Sequence, residues 1–369
     1  MAVEIIGTVK AVPGYQFMNA ETTFEVTGNT GNLAFYDAVR SHVAGAVDAP
    51  WESNGSEGTT GIIPCANFIG AHGKNNFRAQ FCRQYKGNLV AIGLGAQGQF
   101  DQDQIDVGEG TEAFLKELTN KALNGPNISV RGHFTKKVID RLGFGEFVEV
   151  LGCPSLFLNP SKRLGKIIER NSKGQLTKFS ACAGSPLGGK KYENLETELA
   201  NIITRSSGSY VVQHPLHFVQ LGMGQFGHMP ENLVNRYHRA LKPEMNIHQF
   251  KKWCRRHLQV FFNLDAWIDH MQGHDIMVGT RIHGTMLALQ AGIPAVCLIH
   301  DTRTEEMCKI MKIPYIFIDD VDLNNIEDTV RAKVVDYDWN DFDDNRETLR
   351  QRYSQFLTNN NAQLAPRFK

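Results

Sequence analysis

The chain lacks an excess of charge of either sign. Lys and Arg together number 39, as do Asp and Glu. There is no net positive field to hold a nucleic acid or an anionic membrane, so an anionic partner must be small and bound by a local cluster. The seven cysteines (Cys65, Cys82, Cys153, Cys182, Cys254, Cys297, Cys308) form no C-x-x-C pair, and an odd number cannot all pair within one chain. Free thiols in a reducing compartment are the expectation. No apolar run reaches membrane-spanning length, and no basic segment followed by a signal-length apolar stretch opens the chain. A soluble, cytoplasmic protein without membrane insertion is expected. A G-x-S-x-G elbow is missing, which leaves hydrolysis through an activated serine without support. Lys74 follows Gly73, but Phe68 stands where a P-loop needs its first glycine.

Glycine, by contrast, is plentiful: 34 residues in 369, with an apolar share of 42%. That combination fits a two-domain α/β enzyme with many tight strand-to-helix turns. In the first half, Thr27-Gly28-Asn29-Thr30-Gly31-Asn32 forms a turn into a helix over 33–39. Strands are predicted at 89–92, 128–130 and 147–151, and helices over 111–123 and 135–142, the second capped by Thr135 and stopped by Gly143. Composition turns basic and polar between 159 and 178, which predicts a hinge or interdomain connection. A strand and small-residue turn follow over 179–184, then strands at 210–212, 275–278, 295–299 and 315–318, with helices over 285–291 and from Glu305 to before Pro314. The predicted fold is α/β, with two Rossmann-like domains facing across a cleft. They span 1–165 (acceptor side) and 166–345 (donor side), followed by a helical tail over 346–369.

The strongest chemical signal is Arg281-Ile282-His283-Gly284, between a buried strand and a helix. In an extended turn Arg281 and His283 face the same way, beside helix-start N–H groups that attract an anion. On spacing alone, Arg281 reads equally as a surface ion-pair partner and His283 as a hydrogen-bonded turn residue. The setting favours a site: strand, helix and strand form a right-handed βαβ unit, and Asp301 and Arg303 fall at the C-terminal end of its second strand. Arg131 holds the corresponding place after a strand of the first half and would approach a ligand from the opposite wall. Guanidinium groups, an imidazole and a helix start suit a small doubly anionic substrate such as a phosphorylated carboxylic acid. Gly93-Leu94-Gly95-Ala96-Gln97-Gly98 matches a dinucleotide fingerprint, but the acidic 99–103 stretch follows it instead of a helix. It reads as a tight turn lining the cleft. His214 and His217 flank Pro215 without a convincing third ligand, so no metal is expected. His214, at a strand end, remains a candidate contact for an acceptor or phosphate.

With these residues in hand, the chain resembles the polysaccharide pyruvyltransferase family. The likeness runs from Asn29-Thr30-Gly31-Asn32 through Ile128-Ser129-Val130-Arg131-Gly132 to Val278-Gly279-Thr280-Arg281-Ile282-His283-Gly284, the 288–294 segment and Asp301-Thr302-Arg303. The resemblance implies the two-Rossmann glycosyltransferase (GT-B) fold. It also implies transfer from phosphoenolpyruvate to a sugar of a polysaccharide, glycan or glycolipid precursor, as a cyclic ketal with release of phosphate. It matches Arg131, Arg281 and His283 to donor-binding and catalytic positions. The donor set then comprises Arg131, Arg281, Ile282, His283, Gly284 and Arg303. His283, whose imidazole titrates near neutral pH, is the expected proton donor. Asn29, Gly31, Asn32, Gln97 and His214 are the cleft or acceptor candidates. No cofactor is implied beyond the donor substrate. The partners are a small-molecule donor and a sugar acceptor, with a homo-oligomer left open. The chain departs from the family at Cys153, where many members have an Asp before the Pro. A nucleotide-sugar glycosyltransferase, with Glu305 or Glu306 as a ribose carboxylate, and a non-catalytic sugar- or phosphate-binding relative are the alternatives.

Overall fold

Short, nearly all-apolar segments dominate the centre of each half. The segments Thr60–Pro64 and Ala295–Ile299 are buried along their whole length, as strands covered on both faces by helices must be. In the computed structural model, which describes residues 2–7, 9–70, 75–98, 100, 105–123, 125–184 and 186–368, these segments are central strands of two sheets. Lys74, Gln99 and 101–103 of the acidic stretch lie outside the described residues.

The first sheet is built from β1 (Val3–Ile6), β2 (Ala46–Ala49), β3 (Thr60–Pro64), β4 (Asn88–Leu94), β5 (Ile128–Val130) and β6 (Val148–Val150), in the order β2-β1-β3-β4-β5-β6. The second contains β7 (Phe179–Ala181), β8 (Ser209–Val211), β9 (Leu258–Gln259), β10 (Ile276–Gly279), β11 (Ala295–Ile299) and β12 (Tyr315–Phe317), ordered β12-β11-β10-β7-β8-β9. Every pairing within the two sheets is parallel. This is the α/β architecture that the alternation of strand and helix segments implied. The second sheet has the Rossmann strand order, with its switch point between β7 and β10; in the first, the order reverses between β1 and β3. Crevices open at such points beyond the carboxyl ends of the strands.

Several predicted boundaries change. The helix expected from residue 285 begins at Ile282, because Gly284 packs directly on Cys182: a Cβ there would lie 2.4 Å from the thiol sulfur. The helix expected from Glu305 likewise begins at Thr302, capped by the Asp301 carboxylate, which accepts from the Thr304 amide. Thr135 is not an N-cap; that helix runs His133–Arg141 with Gly132 as its cap residue. The basic 159–178 connection contains a helix, Leu164–Ser172, whose apolar side is buried. The tail helix starts and ends earlier than predicted, Trp339–Asn359, with Trp339, Phe342, Arg346, Leu349, Tyr353 and Phe356 buried at alternating three- and four-residue spacing. Beyond it the chain returns to the first half, where Val43 and Leu364 form an antiparallel bridge. All seven cysteines are free and buried.

Candidate active site

The loops at the carboxyl ends of the two sheets enclose a cavity of about 440 Å³. It is lined by Asn29, Asn32, Ala66, Asn67, Phe68, Arg78, Arg131, Gln213, Arg281, Ile282, His283 and Arg303. Four guanidinium groups face this space, and among the described lining residues there is no carboxylate.

Arg281 follows β10 at the switch point of the second sheet and is the N-cap residue of the helix Ile282–Gln290. Its amide donates to Cys182 O (3.1 Å) and its Nη2 to Gly184 O (3.0 Å), both just past β7. The neighbouring strand thus aims the side chain, while the first-turn amides of the helix keep no partner one turn back. Arg303 sits in the first turn of the next helix, with Nη2 3.2 Å from the Asp301 carboxylate. Its Nε is buried without a hydrogen-bond partner, a donor that an entering anion would satisfy.

Arg131 is nearly inaccessible to solvent, at 2% exposure. Nε donates to Gly93 O (2.8 Å), Nη2 to Cys65 O (3.0 Å) and Nη1 to Asn67 Oδ1 (3.0 Å), and the guanidinium lies 5.6 Å from the centre of the Phe35 ring. Its bonds run to carbonyls and an amide. Among the described residues no carboxylate forms an ion pair with it. The glycine-rich turn after β4 has a packing role: a Cβ at Gly95 would meet Arg131 Cδ at 2.9 Å. Burial lowers the Arg131 pKa, yet guanidinium stays charged under any ordinary condition.

His283 is buried between these cations, its ring 5.4 Å from that of Phe35 and its Nε2 3.9 Å from Cys153 Sγ. Burial, then Arg131 and Arg303, push its pKa well below the ordinary 6.5. A thiol, unlike a carboxylate, does nothing to oppose that. The imidazole of the free protein is therefore neutral, which corrects the expectation that it titrates near neutral pH.

The other expected residues separate into two groups. Asn29 and Asn32 line the cavity. Gly31 lies behind it, where a Cβ would collide with Gln213 Oε1 at 2.2 Å, and Gly284 is packed on Cys182. Gln97 is an exposed bridge between the halves, accepting from Asn67 Nδ2 and donating to Asp301 Oδ2, each at 3.1 Å. His214 is exposed, with its ring 6.1 Å from Phe24. His217 turns instead to Gln220 Oε1 (3.0 Å), and no group of three or more His, Cys, Asp or Glu among the described residues is placed to hold a metal ion. Glu305 pairs with Lys309 at 2.6 Å, and Glu306 binds Thr135; neither lines the cavity as a ribose carboxylate would.

Asn67, Phe68, Arg78 and Gln213 were not among the expected site residues. Arg78 lies on the helix Asn75–Gln84, its guanidinium 3.8 Å from the centre of the Phe68 ring and its Nη1 donating to Asn75 Oδ1 (2.8 Å). Asn67 follows β3, a strand whose glycine and proline hide it. The available signal was the position of Gln213 directly after an apolar strand.

A family model, polysaccharide pyruvyl transferase, matches residues 55–302, a range that takes in Arg131, Arg281 and His283. The chain belongs to the polysaccharide pyruvyl transferase family. No curated protein matches the chain. Among solved structures, an uncharacterized protein from Klebsiella pneumoniae aligns with 85% of this chain and 92% of its own, at 11% identity and a TM-score of 0.41. A putative UDP-N-acetylglucosamine 2-epimerase from Listeria monocytogenes aligns over 96% and 97%, at 9% identity and 0.41. An alpha,alpha-trehalose-phosphate synthase from Burkholderia vietnamiensis aligns over 94% and 80%, at 10% identity and 0.38. Likenesses this remote say nothing about the substrates of this pyruvyl transferase family member. No helix among its described residues is long and apolar enough to cross a membrane.

Proposed function

We propose that this protein transfers the pyruvyl group of phosphoenolpyruvate, as a ketal, to two hydroxyls of a sugar in a polysaccharide, glycan or glycolipid precursor, releasing phosphate in the cytoplasm. The observation that carries this reading is the cavity itself, with four guanidiniums and a helix start and no lining carboxylate among the described residues. Phosphoenolpyruvate brings a phosphate and a carboxylate, and planar guanidinium forks match both. In this reading Arg281, Arg303 and the first-turn amides hold the phosphate, and Arg131 faces the carboxylate.

His283 is the proton donor. It is neutral in the empty pocket, and the negative charge of the donor raises its pKa on binding, so the proton arrives together with the substrate. That proton goes to the methylene carbon, and the first sugar hydroxyl attacks the cationic carbon that results, returning its own proton to the His283 imidazole. The second hydroxyl then displaces phosphate, which leaves with a hydroxyl proton while Arg281 and Arg303 stabilise its charge. Asn29, Asn32, Asn67 and Gln213 supply neutral donors and acceptors suited to hydroxyls.

Calorimetric titration of phosphoenolpyruvate into the wild type and Arg281→Ala tests the reading. Saturable binding is expected in the wild type, weakened about tenfold or more in the variant, as loss of a charge-assisted bond implies. Binding of a nucleoside diphosphate but not phosphoenolpyruvate would overturn it in favour of glycosyl transfer.

A further inference from the structure

The helix His133–Arg141 starts two residues after Arg131, and its cap residue, Gly132, offers no side chain to its first-turn amides. The cap comes from the other half of the chain. Glu306 Oε2 accepts from the Thr135 amide (2.9 Å) and Oε1 from the Thr135 hydroxyl (2.6 Å), 171 residues away in sequence. The same hydroxyl accepts from the Ala96 amide at 3.0 Å. A Cβ at Gly132 would stand 2.5 Å from Glu306 Cβ, so a larger residue there would expel the carboxylate. Glycine is required for this approach, since the extended backbone at 132 would suit any residue.

Glu306 belongs to the helix Thr302–Met311, which also carries Arg303 at the cavity and is capped by Asp301. Thr302 closes the same seam: its amide donates to Gly98 O (3.2 Å) and its hydroxyl accepts from the Gly98 amide (3.0 Å). One helix of the second half therefore presents a donor-pocket arginine and grips the turn that presents the opposing one. We propose that Glu306 is a positioning residue: by capping the His133–Arg141 helix across the cleft, it holds Arg131 in register with Arg303 and Arg281. Burial lifts its carboxyl to about 7. The charged and titratable groups around it are Arg131, and His133, Glu305 and Lys309 beside the adjoining cavity.

The proposal rests on the donor reading above, and two measurements on the full-length protein separate their failures. Hydrogen exchange of peptides covering 131–141 reads the cap without any ligand. It should quicken in Glu306→Ala and stay close to wild type in Glu306→Gln, which keeps an acceptor for the Thr135 amide. Phosphoenolpyruvate affinity should fall about fivefold in Glu306→Ala, the loss of a typical helix cap, and be rescued by Gln. Thr135→Val, which removes the hydroxyl contacts to Glu306 and Ala96 but keeps the amide bond to Glu306, should give the same pattern at lower amplitude and serves if Glu306→Ala does not fold. Unchanged exchange in these variants overturns the cap. Quickened exchange with unchanged affinity overturns the positioning role. A wild type that binds no phosphoenolpyruvate ends the donor reading and the positioning role together, and exchange then judges the cap alone.

Discussion

The two walls of the cleft hold their arginines differently. Arg131, in the first half, is buried and donates to Gly93 O, Cys65 O and Asn67 Oδ1, so it is set before any ligand arrives. Arg281 and Arg303, in the second half, are only partly buried. One is steadied by a single carbonyl, and the other is tied to Asp301 with an unpartnered Nε. One wall holds its arginine as a fixed positive group, because each nitrogen of the Arg131 guanidinium already donates one bond to the protein. The other keeps donors in reserve, beside a helix start and a neutral imidazole, where charge must be met as it develops. An arginine in the first setting contributes to the fold as much as to the ligand; in the second it contributes mainly to the ligand.

The sharpest test of that contrast is His283→Ala, on the reserve wall. Turnover should fall by about 10²- to 10⁴-fold, the usual share of a positioned proton donor, while thermal unfolding changes little by comparison. Turnover equal to wild type would remove His283 from the chemistry. Next in size is Arg131→Lys. The charge is kept, but buried acceptors lose their partners, which should cost about 2–3 kcal/mol in chemical denaturation. The matching Arg281→Lys gives up one bond at a half-buried position and should cost less than about 1 kcal/mol. Equal costs would erase the distinction between the walls.

The smallest effect is expected at Cys153. The depressed pKa of His283 means that its neutral form is the native one. Its contribution to stability is present above the ordinary 6.5 and is lost as pH falls from there toward the depressed value. Cys153→Asp sets a carboxylate beside Nε2, so it should raise that pKa and soften the loss over the same window. A ring titration of His283 by nuclear magnetic resonance reads the shift directly, and no upward movement would show that burial overrides a paired charge.

Much of the second sheet was legible because β10 and β11 are short apolar runs closed by glycine or proline, and because right-handed crossovers bring strand ends to one edge. Arg281 and Arg303 were placed from that alone. Helix starts were harder to read. Thr135 is a good capping residue in isolation, yet its hydroxyl serves Glu306 and Ala96, contacts that no local pattern announces. His283-Gly284 looks like a turn until Cys182 is seen to require the glycine inside the helix. Arg78 sits on a largely polar helix whose sequence resembles any solvated surface, and only its stacking on Phe68 brings it to the cavity.

By itself, then, the sequence determined the alternation of strand and helix, the parallel sheets that follow from it, and the carboxyl-edge positions of Arg131, Arg281, His283 and Arg303. Each depends on residues within a turn or two of one another. Tertiary structure alone decided which distant side chains meet there, how deeply Arg131 is held, and that His283 is neutral. Desolvation and the field of neighbouring charges are set by atoms far apart along the chain, such as Cys65, Cys153 and Glu306, and burial exists only once the two halves have closed on each other.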